Sequence, residues 1–149
     1  MRNYIKFKLP VPKSKYYFSV FIFEGRSDMY ARNTMLSKKR PTELCVENFH
    51  DAIVIKQAEL DLKNGGYKPK IGEIHMMRNC IDQEVVSHEI CHAVFWWFLL
   101  EKDIEKFDLS DCIKEEEFCS LHGKLTNSIV KKLHKYEALE YERTIDKTN

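Results

Sequence analysis

Between Ile90 and Leu100 the chain carries no charged side chain. Read as a helix, the segment Ile90-Cys91-His92-Ala93-Val94-Phe95-Trp96-Trp97-Phe98-Leu99-Leu100 is apolar on nearly every face. Most of its circumference therefore has to be covered by protein. The run is too short to cross a bilayer, which takes about 20 apolar residues. The remainder of the chain must supply the cover. A length of 149 residues fits a single domain over 1–149, and 44% apolar side chains suffice for an ordinary core.

The covering elements change period along the chain. Tyr16 to Phe23 is rich in aromatic and β-branched residues and ends at the turn-forming Glu24-Gly25-Arg26-Ser27-Asp28. Met29 to Thr34 is expected to return as a paired strand. Asp51 to Lys56 and Ile71 to Met77 read as further strands, with a turn at Asn64-Gly65-Gly66 between them and a polar loop from Arg78 to Asp82. Residues 1–15, with Lys6, Lys8, Lys13 and Lys15 among prolines, read as a solvated basic lead-in. Asp82 is placed to cap a helix from about Gln83 to Leu100. A second helix starts at Ser110 or Asp111 and reaches about Glu140. In it Phe118, Leu121, Leu125, Ile129, Leu133 and Tyr136 make one apolar stripe. Residues 143–149 are polar and expected to fray. The fold class expected is α+β, a small antiparallel or mixed sheet packed on two main helices.

Charge and composition narrow the partners. The 24 basic and 23 acidic side chains nearly cancel, so neither a nucleic-acid nor a membrane partner is expected. The first twenty residues hold no apolar h-region, which leaves a cytoplasmic protein as the expectation. The five cysteines, Cys45, Cys80, Cys91, Cys112 and Cys119, form no CxxC pair and read as reduced thiols. A role for Cys80, Cys91, Cys112 or Cys119 in metal binding or redox sensing is a subsidiary idea. The CxxH spacing of Cys119 and His122 lacks the second pair that a structural zinc site requires.

The chemistry is concentrated in His88-Glu89-Ile90-Cys91-His92, an HExxH pattern. Residues i and i+4 lie one turn apart on the same helix face. Two imidazoles so placed can both reach one Zn²⁺ at about 2.0–2.1 Å. Glu89 projects beside them, where its carboxylate can take a proton from a metal-activated water. A third ligand is required. The metzincin extension needs a glycine and a histidine where Phe95 and Phe98 stand, so that class is excluded. A later glutamate is the other common answer, and Glu115-Glu116-Glu117 supplies three. At about 100° per residue from Phe118, Glu115 lies about 60° from the stripe centre, Glu117 about 100° and Glu116 about 160°. Glu115 is thus best aimed at the histidines, with Glu116 the fallback if the helix starts late or bends.

Val85 to Val94 and Glu115 to Leu125 resemble small zincin-type metallopeptidases of phages and mobile elements, distantly similar to the ImmA/IrrE-type and SprT-type minimal zincins. The resemblance covers roughly residues 71–133. It implies a sheet whose edge strand precedes the HExxH helix, followed by a helix that begins with acidic residues. It also implies a gluzincin-like zinc site of His88, His92 and a glutamate, with Glu89 as general base and a peptide or protein as substrate. His122-Gly123 departs from it, standing where small or amide residues are frequent.

An oxyanion-stabilising donor is also needed. His75, on the strand before the motif helix, is the candidate catalytic partner, and His122 is the other histidine considered. If Ile71 to Met77 is an edge strand, it can bind an extended substrate by strand addition. Trp96 and Trp97 are most simply core, with one of them able to line a pocket. The expectation is a zinc-dependent metallohydrolase, a peptidase. The alternative is a zincin-fold binding or sensor module that cleaves nothing.

Overall fold

The computed structural model describes residues 3–37, 51–102 and 112–138. Within them the chain is α+β, a four-stranded mixed sheet with three helices. In chain order the elements are β1 (Tyr4–Pro10), β2 (Tyr17–Phe23), α1 (Arg26–Ser37), β3 (Ala52–Lys56), β4 (Lys70–Met77), α2 (Gln83–Lys102) and α3 (Cys112–Lys135). The strands lie in the order β1-β2-β4-β3. β1 pairs antiparallel with β2, β2 parallel with β4, and β3 antiparallel with β4.

Three sequence expectations are corrected here. The basic lead-in is an edge strand over Tyr4–Pro10. Phe7, Leu9 and Val11 are buried while Lys6 and Lys8 are exposed, the period-2 alternation of a half-buried strand that the lysines and prolines disguised. Met29 to Thr34 belongs to a helix. Met29, Arg32, Asn33 and Leu36 recur at helical spacing, and Met29 and Leu36 are buried. β4 runs as expected but is an interior strand, with β2 on one side and β3 on the other. Strand addition along Ile71 to Met77 is therefore ruled out, because both rows of its backbone groups are already paired.

Each face of the sheet is covered differently. Phe18, Val20, Ile22, Ile74 and Met76 pack with Val86, Ile90, Ala93, Val94 and Trp97 of α2 and Leu125, Ile129 and Leu133 of α3 in the main core. The stripe on α3 thus faces the core as expected. Gly72 allows the close approach of β3 to β4. A Cβ there would stand 2.8 Å from the Ile55 carbonyl oxygen and 3.0 Å from the Phe18 ring. Asp82 caps α2, its carboxylate accepting the Val85 N–H at 2.8 Å. A single 3₁₀ turn, Arg78–Cys80, fills the predicted loop before it. α3 stops at Lys135, short of Glu140. Glu137 adopts a left-handed φ of 53°, and the Ala138 N–H returns to the Leu133 carbonyl at 2.9 Å. The segment 143–149 lies outside the described residues.

The opposite face holds a smaller cluster of Phe21, Phe23, Met29 and Met77 under α1. Beside it sits a fully buried carboxylate. Glu73 accepts both guanidinium donors of Arg32 at 2.9 and 2.6 Å, and Lys70 Nζ also contacts it. His75, equally buried, donates from Nε2 to Glu73 at 2.7 Å, and its Nδ1 meets the Asn33 side-chain amide at 2.6 Å. The Arg32 guanidinium lies 4.3 Å from the Phe21 ring centre. These contacts tie α1 to the sheet. Burial opposes charge on Glu73, but its bonds to His75, Arg32 and Lys70 outweigh that and hold its pKa far below the ordinary value. Burial pushes the His75 pKa down, and Arg32 and Lys70 nearby add to the effect although Glu73 opposes it.

Two outcomes follow. Glu73→Gln leaves Arg32 and Lys70 without their buried counter-charge, and removing one partner of a buried pair costs about 3–5 kcal/mol. A urea titration should show that loss. Stability should also depend on pH. The folded pKa of His75 lies below its ordinary 6.5, so the unfolded chain binds the proton first. The contribution of His75 is complete above about pH 6.5 and fades as pH falls. Glu73, depressed from 4.5, adds a further decline below that value. In His75→Gln the part beginning near pH 6.5 should shrink while the part below 4.5 persists.

Candidate metal centre

α2 is the element that places the motif. Its residues Val86, Ile90, Ala93, Val94, Trp97 and Phe98 are buried. From Ser87 to Leu100 the exposed positions are His88, His92, Phe95 and Leu99. At about 100° per residue they fall within one arc of about 60°. The single solvent-facing stripe on an otherwise covered helix thus carries both histidines.

The two rings meet there. His88 Nε2 and His92 Nε2 stand 3.1 Å apart, with ring centres 4.8 Å apart and planes at 74°. Two nitrogens bound tetrahedrally at about 2.1 Å to one ion are separated by about 3.4 Å. The donor pair therefore fits a zinc ion after an opening of a few tenths of an ångström. Burial, with the positive fields of His88 and Lys56, holds the His92 pKa below the ordinary imidazole value.

Glu89 turns to one side of this pair, under the edge strand β3. It is buried, and the backbone N–H of Val54 is near enough to favour its charged form. The register explains why that donor is available. The Gln57 N–H bonds to the Ile71 carbonyl and the Met77 N–H to the Asp51 carbonyl, so the odd-numbered residues of β3 face β4. Ala52, Val54 and Lys56 turn their backbone groups to the outer side of the edge. Burial pushes the Glu89 pKa up, opposed by His88 and by the Val54 N–H. Trp96 lies on the same flank. Its indole N–H donates to the Ile71 carbonyl at 2.7 Å, and Lys56 Nζ is 6.0 Å from its ring. Trp97 is core, tilted against Tyr16 at 5.2 Å.

The other flank is α3. His122 Nε2 donates to the Ser87 carbonyl at 3.1 Å, and Ser87 Oγ is 3.5 Å away. Phe118 packs against Phe95 at 4.9 Å and Phe98 at 5.8 Å, and stacks on His122 at 6.4 Å. The pairs Ser87 with His122 and Phe95 with Phe118 show that the two helices run antiparallel. Glu115 is one turn nearer the start of α3 than Phe118. It is therefore level with α2 beyond Phe95, past the histidines. Glu115, Glu116 and Glu117 are all exposed. Among the described residues, no three His, Cys, Asp or Glu side chains stand close enough to hold one ion. The structure brings His88 and His92 together, with Glu89 close enough to feel the charge of His88, and does not gather the acidic triplet with them.

His75 is corrected as a catalytic partner. Residues 74 and 76 face α2, so 73 and 75 face α1. The sheet stands between His75 and the motif, and both of its ring nitrogens are engaged. His122 is the histidine that reaches the motif's first turn. Val54 belongs to no sequence motif, and only a place on an edge strand marks its backbone N–H as turned away from the ladder.

The thiols of Cys80, Cys91 and Cys119 are free, with burial pushing those of Cys80 and Cys91 up. Cys45 lies outside the described residues. No described helix is long and apolar enough to cross a membrane. No protein-family model, curated protein or solved structure matches the chain, so the functional reading stands on this site alone.

Proposed function

We propose that the chain is a zinc-dependent metallohydrolase acting on peptide bonds. The observation that carries this reading is the exposed His88–His92 pair, 3.1 Å apart, with a buried carboxylate beside it. His88 and His92 would hold the ion, and Glu115, or Glu116 in its place, would turn toward them as third ligand. Zinc, when bound, would supply Lewis acidity. Glu89 is the group placed to take a proton from an attacking water and to return it to the leaving amine nitrogen. Its burial suits the task, since a raised carboxyl pKa lies nearer to the working pH of a general base. The Val54 N–H fixes the direction of the carboxylate.

A second reading has one observation in its favour. The acidic triplet is not gathered with the histidines among the described residues, as suits a binding or sensor module that cleaves nothing.

Zinc analysis and a cleavage assay separate these readings. The purified chain should hold about one zinc. His88→Ala and His92→Ala should lose it, while Glu89→Gln should keep it and fail to cleave an unstructured protein that the native chain degrades until chelator is added. Zinc binding without cleavage of any polypeptide leaves the module. Full turnover by Glu89→Gln removes Glu89 from its role.

Val54→Pro is a finer probe. Proline deletes the outward N–H and spares the β3–β4 ladder, while also replacing a valine that packs on the main core. Zinc content should stay unchanged while kcat falls by about tenfold or more, as for other misplaced catalytic groups. Unchanged kcat would show that the contact does not orient Glu89.

A further inference from the structure

At the end of the sheet where β2 and β4 begin, two turns lie side by side. One is residues 11–16, between β1 and β2, and the other is residues 59–68, before β4. The Tyr17 N–H bonds to the Pro69 carbonyl at 2.9 Å, and a Cβ on Gly66 would stand 3.4 Å from the Tyr16 hydroxyl. The second turn carries Leu60, 62% exposed, and Leu62, 94% exposed. A single exposed leucine is ordinary on a protein surface, but these two stand together at the tip of a closed hairpin.

That hairpin is firmly built. Leu60 bridges to Tyr67, the Lys68 N–H bonds to the Glu59 carbonyl at 2.8 Å, and the Asp61 N–H bonds to the Gly66 carbonyl at 2.8 Å. Asp61 turns the tip. Its Oδ1 accepts the N–H groups of Lys63 and Asn64 at 3.1 Å each, its Oδ2 accepts the Asn64 amide at 3.1 Å, and its carbonyl accepts the Gly65 N–H at 2.8 Å. Gly65 and Gly66 supply the left-handed φ of 76° and 70° that closes it. The N–H groups of Asp61, Lys63, Asn64 and Gly65 are thus all satisfied inside the hairpin. An unmatched backbone group carried from water into an apolar phase is costly. A tip whose donors are already engaged avoids much of that cost, and a rigid one loses little conformational entropy on entry.

Cations stand around the leucines. Lys13 and Lys15 of the first turn and Lys63 of the second are exposed. Glu59 is paired with Lys68 at 2.6 Å, and the Asp61 carboxylate is held by the turn itself. Tyr16 and Tyr67 are half-buried, one with Lys15 Nζ 5.3 Å from its ring centre and the other bridged to Leu60. An apolar tip, tyrosines behind it and lysines alongside suit the apolar, interfacial and anionic zones of a lipid surface. The near balance of charge over the whole chain conceals this local excess.

We infer that hairpin 59–68, with Lys13 and Lys15, docks the protein on an anionic lipid bilayer, Leu60 and Leu62 entering its interface.

The test floats the full-length chain with vesicles of phosphatidylcholine alone or mixed with phosphatidylglycerol. The chain should bind the mixed vesicles and be released as salt rises. Leu62→Asp should lower the partition coefficient by about tenfold or more, the scale of one buried leucine. Leu62→Ser, with no added charge, should lower it as well. Lys13→Glu combined with Lys15→Glu should remove the preference for anionic lipid. Leu62→Trp should gain fluorescence that brominated lipid quenches. Melting curves show whether each variant keeps its fold. Failure to bind the mixed vesicles overturns the inference, as does binding that folded Leu62→Asp and Leu62→Ser both retain. Self-association that depends on Leu62, with no vesicle binding, overturns it in favour of a contact between copies of the chain.

Discussion

The architecture depends on β4 being buried on both faces with opposite chemistry. Ile74 and Met76 enter an apolar core shared with α2 and α3. Glu73 and His75, one residue out of phase, enter a polar cluster under α1. The two environments cannot be exchanged. A slip of one residue would set Glu73 against Ile90 and Val94, with no cation to meet it. The register of β4 is thus fixed by the price of a misplaced carboxylate as much as by hydrophobic burial. That register in turn decides where β3 lies, and so which backbone donor reaches Glu89.

The same fact explains what could be read from the sequence. α2 was legible because its signals are local: an aspartate cap, a change of period and a continuous apolar run. The stripe on α3 was legible for the same reason. β1 was not, because its inward residues Phe7, Leu9 and Val11 alternate with lysines and end in prolines, which weigh toward a loop. α1 was too short and too polar for its period to declare itself. The interior position of β4 belongs to no local signal at all, since strand order is set by pairings between distant segments.

The site divides along that line. His88, Glu89 and His92 share one helix, so helical geometry alone brings them together. His75 needed knowledge of which sheet face it occupies, and the parity of a strand is fixed only when its partners are known. Glu115 needed the sliding register of two helices. The angle around α3 follows from helical geometry, but the level reached along α2 depends on how the two helices slide past each other. His122, two turns after Glu115, is what meets the motif's first turn.

The parts of the motif are held with different firmness, and this bears on what any ion would contribute. Glu89 is buried, with a backbone donor at its carboxyl. The imidazoles are exposed, and their rings meet each other. Ordering two exposed side chains around an ion carries an entropic cost, which a starting separation of 3.1 Å lessens. Two neutral nitrogens bring no charge to offset a divalent cation. A carboxylate from α3 would add charge as well as a bond, yet it must leave water and cross from the level of Leu99 to that of His92. Occupancy by zinc would therefore be coupled to the packing of α3 on α2, through Phe118 against Phe95 and His122 against Ser87.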